Sequence, residues 1–310
     1  MKLTKKAFTN FILSFLIICG LIFAFVNLVG MKFQGMIHRS HASEVSERIL
    51  QSIHEEERFS CETMICIALE DKYLQDKSKD MSMVQELKQE RMLVSKGDAQ
   101  VIFVDEEDDL YIYSKGLSPI YNKRKSTLQN VDVNRWVKYP AEKMFAKKQR
   151  KGENPRLSYG YLENPEYLLQ IQEEGLVSIQ EKTYEKYEVT LRNTLKDHVD
   201  NEDSDIVFRK TLASHGVDVM EIQNEYPKAY DKMRECFRTD TERMHVWVDD
   251  AGKLAKIEKD YTFIYYLEMM DENSEKIYHN LGQYGYPDIV CVQEYTYPPT
   301  CKQIELPKEK

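Results

Sequence analysis

The sequence predicts an α+β protein held outside a membrane by one N-terminal transmembrane helix. Three observations carry this reading. Residues 7–31 contain no charge and are almost wholly apolar from Phe11 to Val26. Beyond them, short alternating or apolar runs bounded by Gly, Pro, Asn and Asp recur as strands and hairpins. Between those runs lie segments with apolar residues at helical spacing.

The apolar run is long enough to cross a hydrocarbon core of ~30 Å as one helix. Lys2, Lys5 and Lys6 precede it, so the positive-inside tendency places the N-terminus in the cytoplasm. Three readings of the run compete. A cleaved secretory signal has a shorter apolar region and a small-x-small site, and only a poor site lies near Val26 to Gly30. A lipoprotein needs a small residue before the modified cysteine, and Ile18 precedes Cys19. Length favours the uncleaved anchor. The expected organisation is a cytoplasmic tail at 1–6, a signal-anchor at 7–31, a juxtamembrane linker at 32–42 and an extracytoplasmic α+β domain at 43–310. Residues 141–160 are a candidate internal boundary.

All 52 acidic residues lie beyond residue 39, against 38 basic ones, a net of −14 for the outer part. Such a surface repels phosphates, which argues against nucleic acid as a partner and against broad docking on anionic lipid. Lys123-Arg124-Lys125 and Lys147-Lys148-Gln149-Arg150-Lys151 are local exceptions, read as solvated loops or as contacts to anionic groups. The 20 tyrosines suit strands and half-buried positions. Five cysteines follow Cys19, an odd number, so at least one stays free or pairs between chains. Cys291 and Cys301 flank a Pro-Pro turn and are spaced to close a C-terminal loop. Cys61 and Cys66 would point to opposite faces of a strand, which disfavours a bond between them.

Element by element, residues 40–57 read as a helix with Val45, Ile49, Leu50 and Ile53 as its apolar stripe. Arg58 to Leu69 reads as a strand, and Met81 to Leu93 fits either strand or helix. Ala99 to Tyr113 reads as a hairpin around a solvated acidic turn, and Val131 to Tyr139 as a strand carrying Trp136. Asn164-Pro165-Glu166 has the form of a helix start, with Tyr167, Leu168 and Ile171 inward and Gly175 at its end. Strands are expected at Val177–Gln180 and Lys186–Arg192, then an acidic loop from Asp197 to Asp205. Val217 to Phe237 reads as a helix kinked or broken at Pro227. Arg243–Val248 and Lys253–Tyr261 flank Asp249-Asp250-Ala251-Gly252 as a hairpin. The run 261–270 is apolar on both faces and reads as a strand covered on both sides, or on one side with a ligand on the other. Asp288 to Tyr295 is the final strand.

This order, with Asn164-Pro165-Glu166-Tyr167-Leu168-Leu169, the Trp247-x-Asp249-x-x-Gly252 hairpin and Tyr284-Gly285-Tyr286-Pro287-Asp288-Ile289-Val290, resembles the LolA/LppX-like group of extracytoplasmic proteins. That group includes the domain of RseB-type regulators and many lipoproteins. The resemblance touches about half of the chain. It implies a strongly curved antiparallel sheet, an unclosed barrel, with helices on its concave side and an enclosed apolar space that often takes a lipid. The helices at 164–176 and 217–237 could instead fill that space.

No metalloprotease, P-loop, nucleophile-elbow or dinucleotide motif is present, and the seven histidines are scattered. No Cys/His set has zinc spacing, so neither catalytic residues, a metal site nor a cofactor is expected. Two functions remain. The first is a non-enzymatic, membrane-anchored binder of a lipid or other apolar ligand. Tyr261, Phe263, Tyr265, Leu267 and Met269 would form one wall of its pocket, or Ile264, Tyr266 and Met270 on the alternate face, with Trp136 and Trp247 as secondary contacts. The second is an envelope interaction or sensor module with a filled core and a protein partner. A void of some hundreds of Å³ beneath 261–270 separates the first from the second, for which a packed interior and an exposed aromatic patch are expected.

Overall fold

The computed structural model describes residues 42–69, 72–89, 91–106, 109–115, 134–140, 158–196, 203–268 and 281–307. The expected anchor, both basic clusters, Met269 and Met270 lie outside the described residues. Among the described residues, no helix is long and apolar enough to cross a membrane.

Among the described residues, twelve strands form one antiparallel sheet. They are β1 (Arg58–Leu69), β2 (Lys72–Gln75), β3 (Met81–Glu86), β4 (Arg91–Lys96), β5 (Ala99–Glu106), β6 (Asp109–Lys115), β7 (Trp136–Pro140), β8 (Leu168–Ile179), β9 (Lys182–Arg192), β10 (Thr241–Asp249), β11 (Leu254–Asp260) and β12 (Ile289–Thr296). Their order is β7-β6-β5-β4-β3-β1-β12-β11-β10-β9-β8, with β2 paired to the far end of β1. Two meanders therefore meet where β1 pairs β12, from Ser60↔Thr296 to Ile67↔Ile289. The strands before residue 141 and those after 160 belong to one sheet, not to two. Among the described residues β7 and β8, at the two ends of the order, do not pair with each other, so the sheet is unclosed.

Helix α1 spans residues 42–55. The stripe read from the sequence is its buried face: Ile49, Leu50 and Ile53 pack in one cluster with Phe59 and Cys61 of β1, Phe103 of β5, Ile112 of β6, Tyr187 of β9 and Leu168 of β8. Ile112 and Leu168 sit nine strand positions apart, ~43 Å in a flat sheet, yet they share the cluster of a helix only ~21 Å long. The sheet curls around α1. Helix α2 (Gly160–Glu163) lies beside it: Ser46 Oγ donates to the Leu162 carbonyl at 2.5 Å, and His54 meets Glu163 at 2.9 Å.

A second cluster covers the other end of the same sheet face. It holds Ile65 and Ile67 of β1, Ile289 and Cys291 of β12, and helices α3 (Ser204–Ser214), α4 (Val219–Glu225), α5 (Pro227–Glu235) and α6 (residues 262–268). A polar seam runs between the clusters. Fully buried Gln293 accepts from Ser158 N and Tyr295 Oη at 2.8 and 2.9 Å. Beside it, Lys259 pairs with Glu242 at 2.6 Å and lies 4.8 Å from the Tyr161 ring centroid. On the opposite face, the C-terminal tail packs Ile304 against Ile102 and Val104, and Ile304 N donates to buried Glu86 at 2.8 Å.

Several expectations need correction. The helix expected from Asn164 is a turn followed by β8: the Asn164 side chain accepts from Glu166 N, and Tyr167 N donates to the Asn164 carbonyl. A bulge at Leu169, where Leu168 pairs Leu191 and Gln170 pairs Thr190, puts Leu168 and Ile171 on one face although they are three apart. That bulge imitates helical spacing. Gly175, at φ +99°, belongs to a second bulge of β8 and ends no helix. The acidic loop expected up to Asp205 gives way to α3 at Ser204, where the Asp203 carboxylate caps Asp205 N. Met81 to Leu93 contributes two strands. The break expected at Pro227 is present: this residue separates α4 from α5 and stands at the first turn of the latter. No disulfide closes the C-terminal loop: Cys61, Cys66, Cys236, Cys291 and Cys301 are all free thiols. Burial pushes Cys61, Cys236 and Cys291 up to about 12, so they behave as small apolar groups.

Candidate functional site

The run at 261–270 is a helix over 262–268, which overturns its reading as a strand. Asp260 ends β11 and its carboxylate accepts from Thr262 N at 2.8 Å, which starts α6. Thr262 Oγ1 then accepts from Ile289 N at 2.9 Å and locks the helix to the start of β12. No ladder position is left for a strand here, because β11 is already paired on both edges, to β10 and β12. An all-apolar run has no period with which to declare itself helix or strand.

Within α6, Phe263, Tyr266 and Leu267 follow i, i+3, i+4 spacing and are buried in the second cluster. The Phe263 ring meets Phe237 edge-on with centroids 4.8 Å apart, and Phe208 at 6.4 Å. Tyr265 donates to Asp76 Oδ2 at 2.9 Å and Tyr266 to the Pro287 carbonyl at 3.0 Å. Burial, then the neighbouring Asp76, raises the Tyr265 hydroxyl well above its ordinary range, so it stays a donor. Half-buried Tyr261 donates to Glu268 at 3.0 Å. Five of the residues expected to line a pocket, Tyr261, Phe263, Tyr265, Tyr266 and Leu267, thus make contacts within the protein. Ile264 lies partly buried beside the same cluster.

The two tryptophans lie apart from α6 and from each other. Trp136 stands on β7, at one end of the sheet, with its ring 5.5 Å from Tyr113. Trp247 lies on β10 on the face away from α1, where Lys186 and Lys256 sit 5.5 and 4.9 Å from its ring centroid. His245 lies beside Trp247, with ring centroids 6.0 Å apart.

The described residues do form an open groove of about 500 Å³ at the end of the sheet. Ala68 and Leu69 of β1, Lys72 of β2, Lys232 of α5, and Tyr284, Pro287 and Asp288 before β12 line it. Lys232 pairs with Asp288 at 2.5 Å. Burial lowers the Lys232 ammonium, but the Asp288 carboxylate outweighs it and holds the group above its ordinary value. Beside the groove, every residue of β2 is exposed, including Tyr73 (54%) and Leu74 (40%), and Tyr284 on the groove's wall is 46% exposed. Among the described residues, β2 pairs only with β1, so its outer edge is free.

This surface leaves no pattern in the sequence because its parts come from three separated segments, near residues 68–72, 232 and 284–288. The one local signal was Tyr73-Leu74 in a polar context, too short to read as a strand.

No family model matches the chain, and no curated protein matches it. Among solved structures, the lipoprotein LppX of Mycobacterium tuberculosis is similar over 83% of this chain and 94% of its own, at 8% identity and a TM-score of 0.34. LprF of Mycobacterium bovis is similar over 87% and 97%, at 8% identity and a TM-score of 0.37. A LolA superfamily protein of Nitrosomonas europaea is similar over 86% and 94%, at 10% identity and a TM-score of 0.24. Each is a likeness of fold alone. The plan of one unclosed antiparallel sheet with helices gathered on one face stands on this chain's own strand order and packing.

Proposed function

We propose that the protein is a non-enzymatic interaction module of the cell envelope, anchored by residues 7–31 with its N-terminus in the cytoplasm. Its partner is an extended segment of another envelope protein, added as a strand to the free edge of β2. The supporting observation is the packed interior combined with an exposed aromatic edge. α1 and α3–α6 occupy the concave face, and Tyr73, Leu74 and Tyr284 stand exposed at the groove, while Leu176, Ile179, Ile206, Met220 and Leu306 are exposed singly or in pairs elsewhere. An unpaired strand edge offers main-chain donors and acceptors, and alternate pockets beside it read side chains. A groove of this volume takes one or two such side chains.

A photoreactive amino acid at position 74 of the full chain, expressed in its host and irradiated, tests this. The expected result is one discrete protein-sized adduct that disappears when Tyr73→Asp is added. A lipid-sized adduct would replace the protein partner by an apolar ligand held in the groove. The same adduct pattern with and without Tyr73→Asp would remove the edge of β2 from the account.

A further inference from the structure

On the face of the sheet away from α1, three adjacent strands bring Glu174 of β8, Glu188 of β9 and His245 of β10 together. Their ligand atoms all lie within 4.8 Å of one another. Glu188 and His245 are direct cross-strand partners, with Nε2 and Oε2 at 3.9 Å. Glu174 joins them through the second bulge of β8. Glu173 pairs with Tyr187 and Gly175 with Lys186, so Glu174 is the extra residue between those rows. Gly175 takes φ +99°, a conformation that costs other residues, and so permits the bulge. The result is a carboxylate carried to the same side as the other two groups.

We propose that Glu174, Glu188 and His245 form a surface site for a divalent first-row transition metal such as Zn²⁺, with water completing the coordination. One imidazole nitrogen and two carboxylate oxygens are a donor set that suits such ions. Ligand atoms around Zn²⁺, with bonds of ~2.0–2.1 Å, lie ~3.3 Å apart, so the set closes on the ion by side-chain rotation alone. Two cations compete with the metal. Lys186 holds Glu174 at 2.6 Å, and Arg243 lies 3.7 Å from Glu188. Metal entry displaces Lys186 from Glu174, and Lys186 also stands over the Trp247 ring, which lies beside His245. Trp247 therefore reports on occupancy.

The chain has two tryptophans, so Trp136→Phe in the full-length protein leaves Trp247 alone. Titration with Cu²⁺ is expected to quench its emission saturably at one ion per chain, with Zn²⁺ competing. His245→Ala and Glu188→Gln should each raise the midpoint by at least roughly tenfold, about 1.4 kcal/mol. Lys186→Gln, which frees Glu174, should lower it. A purely structural ion-pair ladder predicts the opposite pattern: quenching that never saturates, or the same midpoint in His245→Ala, Glu188→Gln and Lys186→Gln. Either outcome overturns the site.

Discussion

Phe263→Ala is expected to destabilise the fold by ~3–5 kcal/mol, the range for truncating a buried aromatic ring. Phe263 is 3% exposed and sits between Phe208 and Phe237, both fully buried. Removing it opens a cavity at the centre of the second cluster, where α3, α5 and α6 meet the sheet. Edge-on rings add to the loss beyond the area they bury. Urea unfolding of the variant beside the parent measures the effect as a lower midpoint at unchanged slope. The size of the change separates two roles for the same side chain. A ring that lined an open ligand pocket would leave no new cavity when cut back, and its loss would cost binding with under ~1 kcal/mol of stability. A small effect would therefore restore α6 to the role of pocket wall.

Lys259→Met should cost a similar ~3–5 kcal/mol, for a different reason. The mutation leaves the Glu242 carboxylate in the seam between the clusters without the ammonium now 2.6 Å away. The Lys259 and Glu242 side chains are 13% and 11% exposed, so water replaces little of what is lost. Replacing both residues, as Lys259→Met with Glu242→Leu, should recover part of the stability, because the carboxylate no longer stands in the seam without Lys259. The pair also has a pH signature. Burial lowers the Lys259 ammonium, but Glu242 and Tyr161 outweigh it, and the net shift is upward. A group whose folded value is raised contributes fully below its unfolded value, ~10.4 for Lys. That contribution fades as pH rises through the folded value. The parent should therefore lose stability above that point, and the double variant should lose less. Unfolding midpoints of parent, single and double variants between neutral and strongly alkaline pH measure all of this. A single variant as stable as the parent would show that the seam holds no buried pair.

Elements fixed by near neighbours were legible in the sequence. The α1 stripe, the Asp249–Gly252 hairpin, the break at Pro227 and the β5–β6 hairpin all rest on local spacing or local turn chemistry. The errors arose where long-range pairing overrode local pattern. Leu168 and Ile171 look helical because a bulge at Leu169 adds one residue to a period of two. The 261–270 run looks like a strand because its aromatics favour strands, while the Asp260 cap and the already paired edges of β11 decide for a helix. Of the site, only the pairing of His245 with Trp247 could be read, since they are two apart on one strand. Glu174 and Glu188 join them across two strands and a bulge, and the groove beside β2 collects residues more than 200 positions apart. Neither leaves a trace in sequence spacing.

The filled concave face is the centre of this account, and native mass spectrometry of the full chain tests it most directly. The anchor would be removed by proteolysis after purification, and the remaining domain weighed and then extracted with organic solvent. The expected result is the mass of the bare domain and an extract without stoichiometric lipid. A stoichiometric lipid that stays with the domain, and stays equally when Leu69→Asp places a charge in the groove's lining, would place an apolar ligand inside the fold and contradict it.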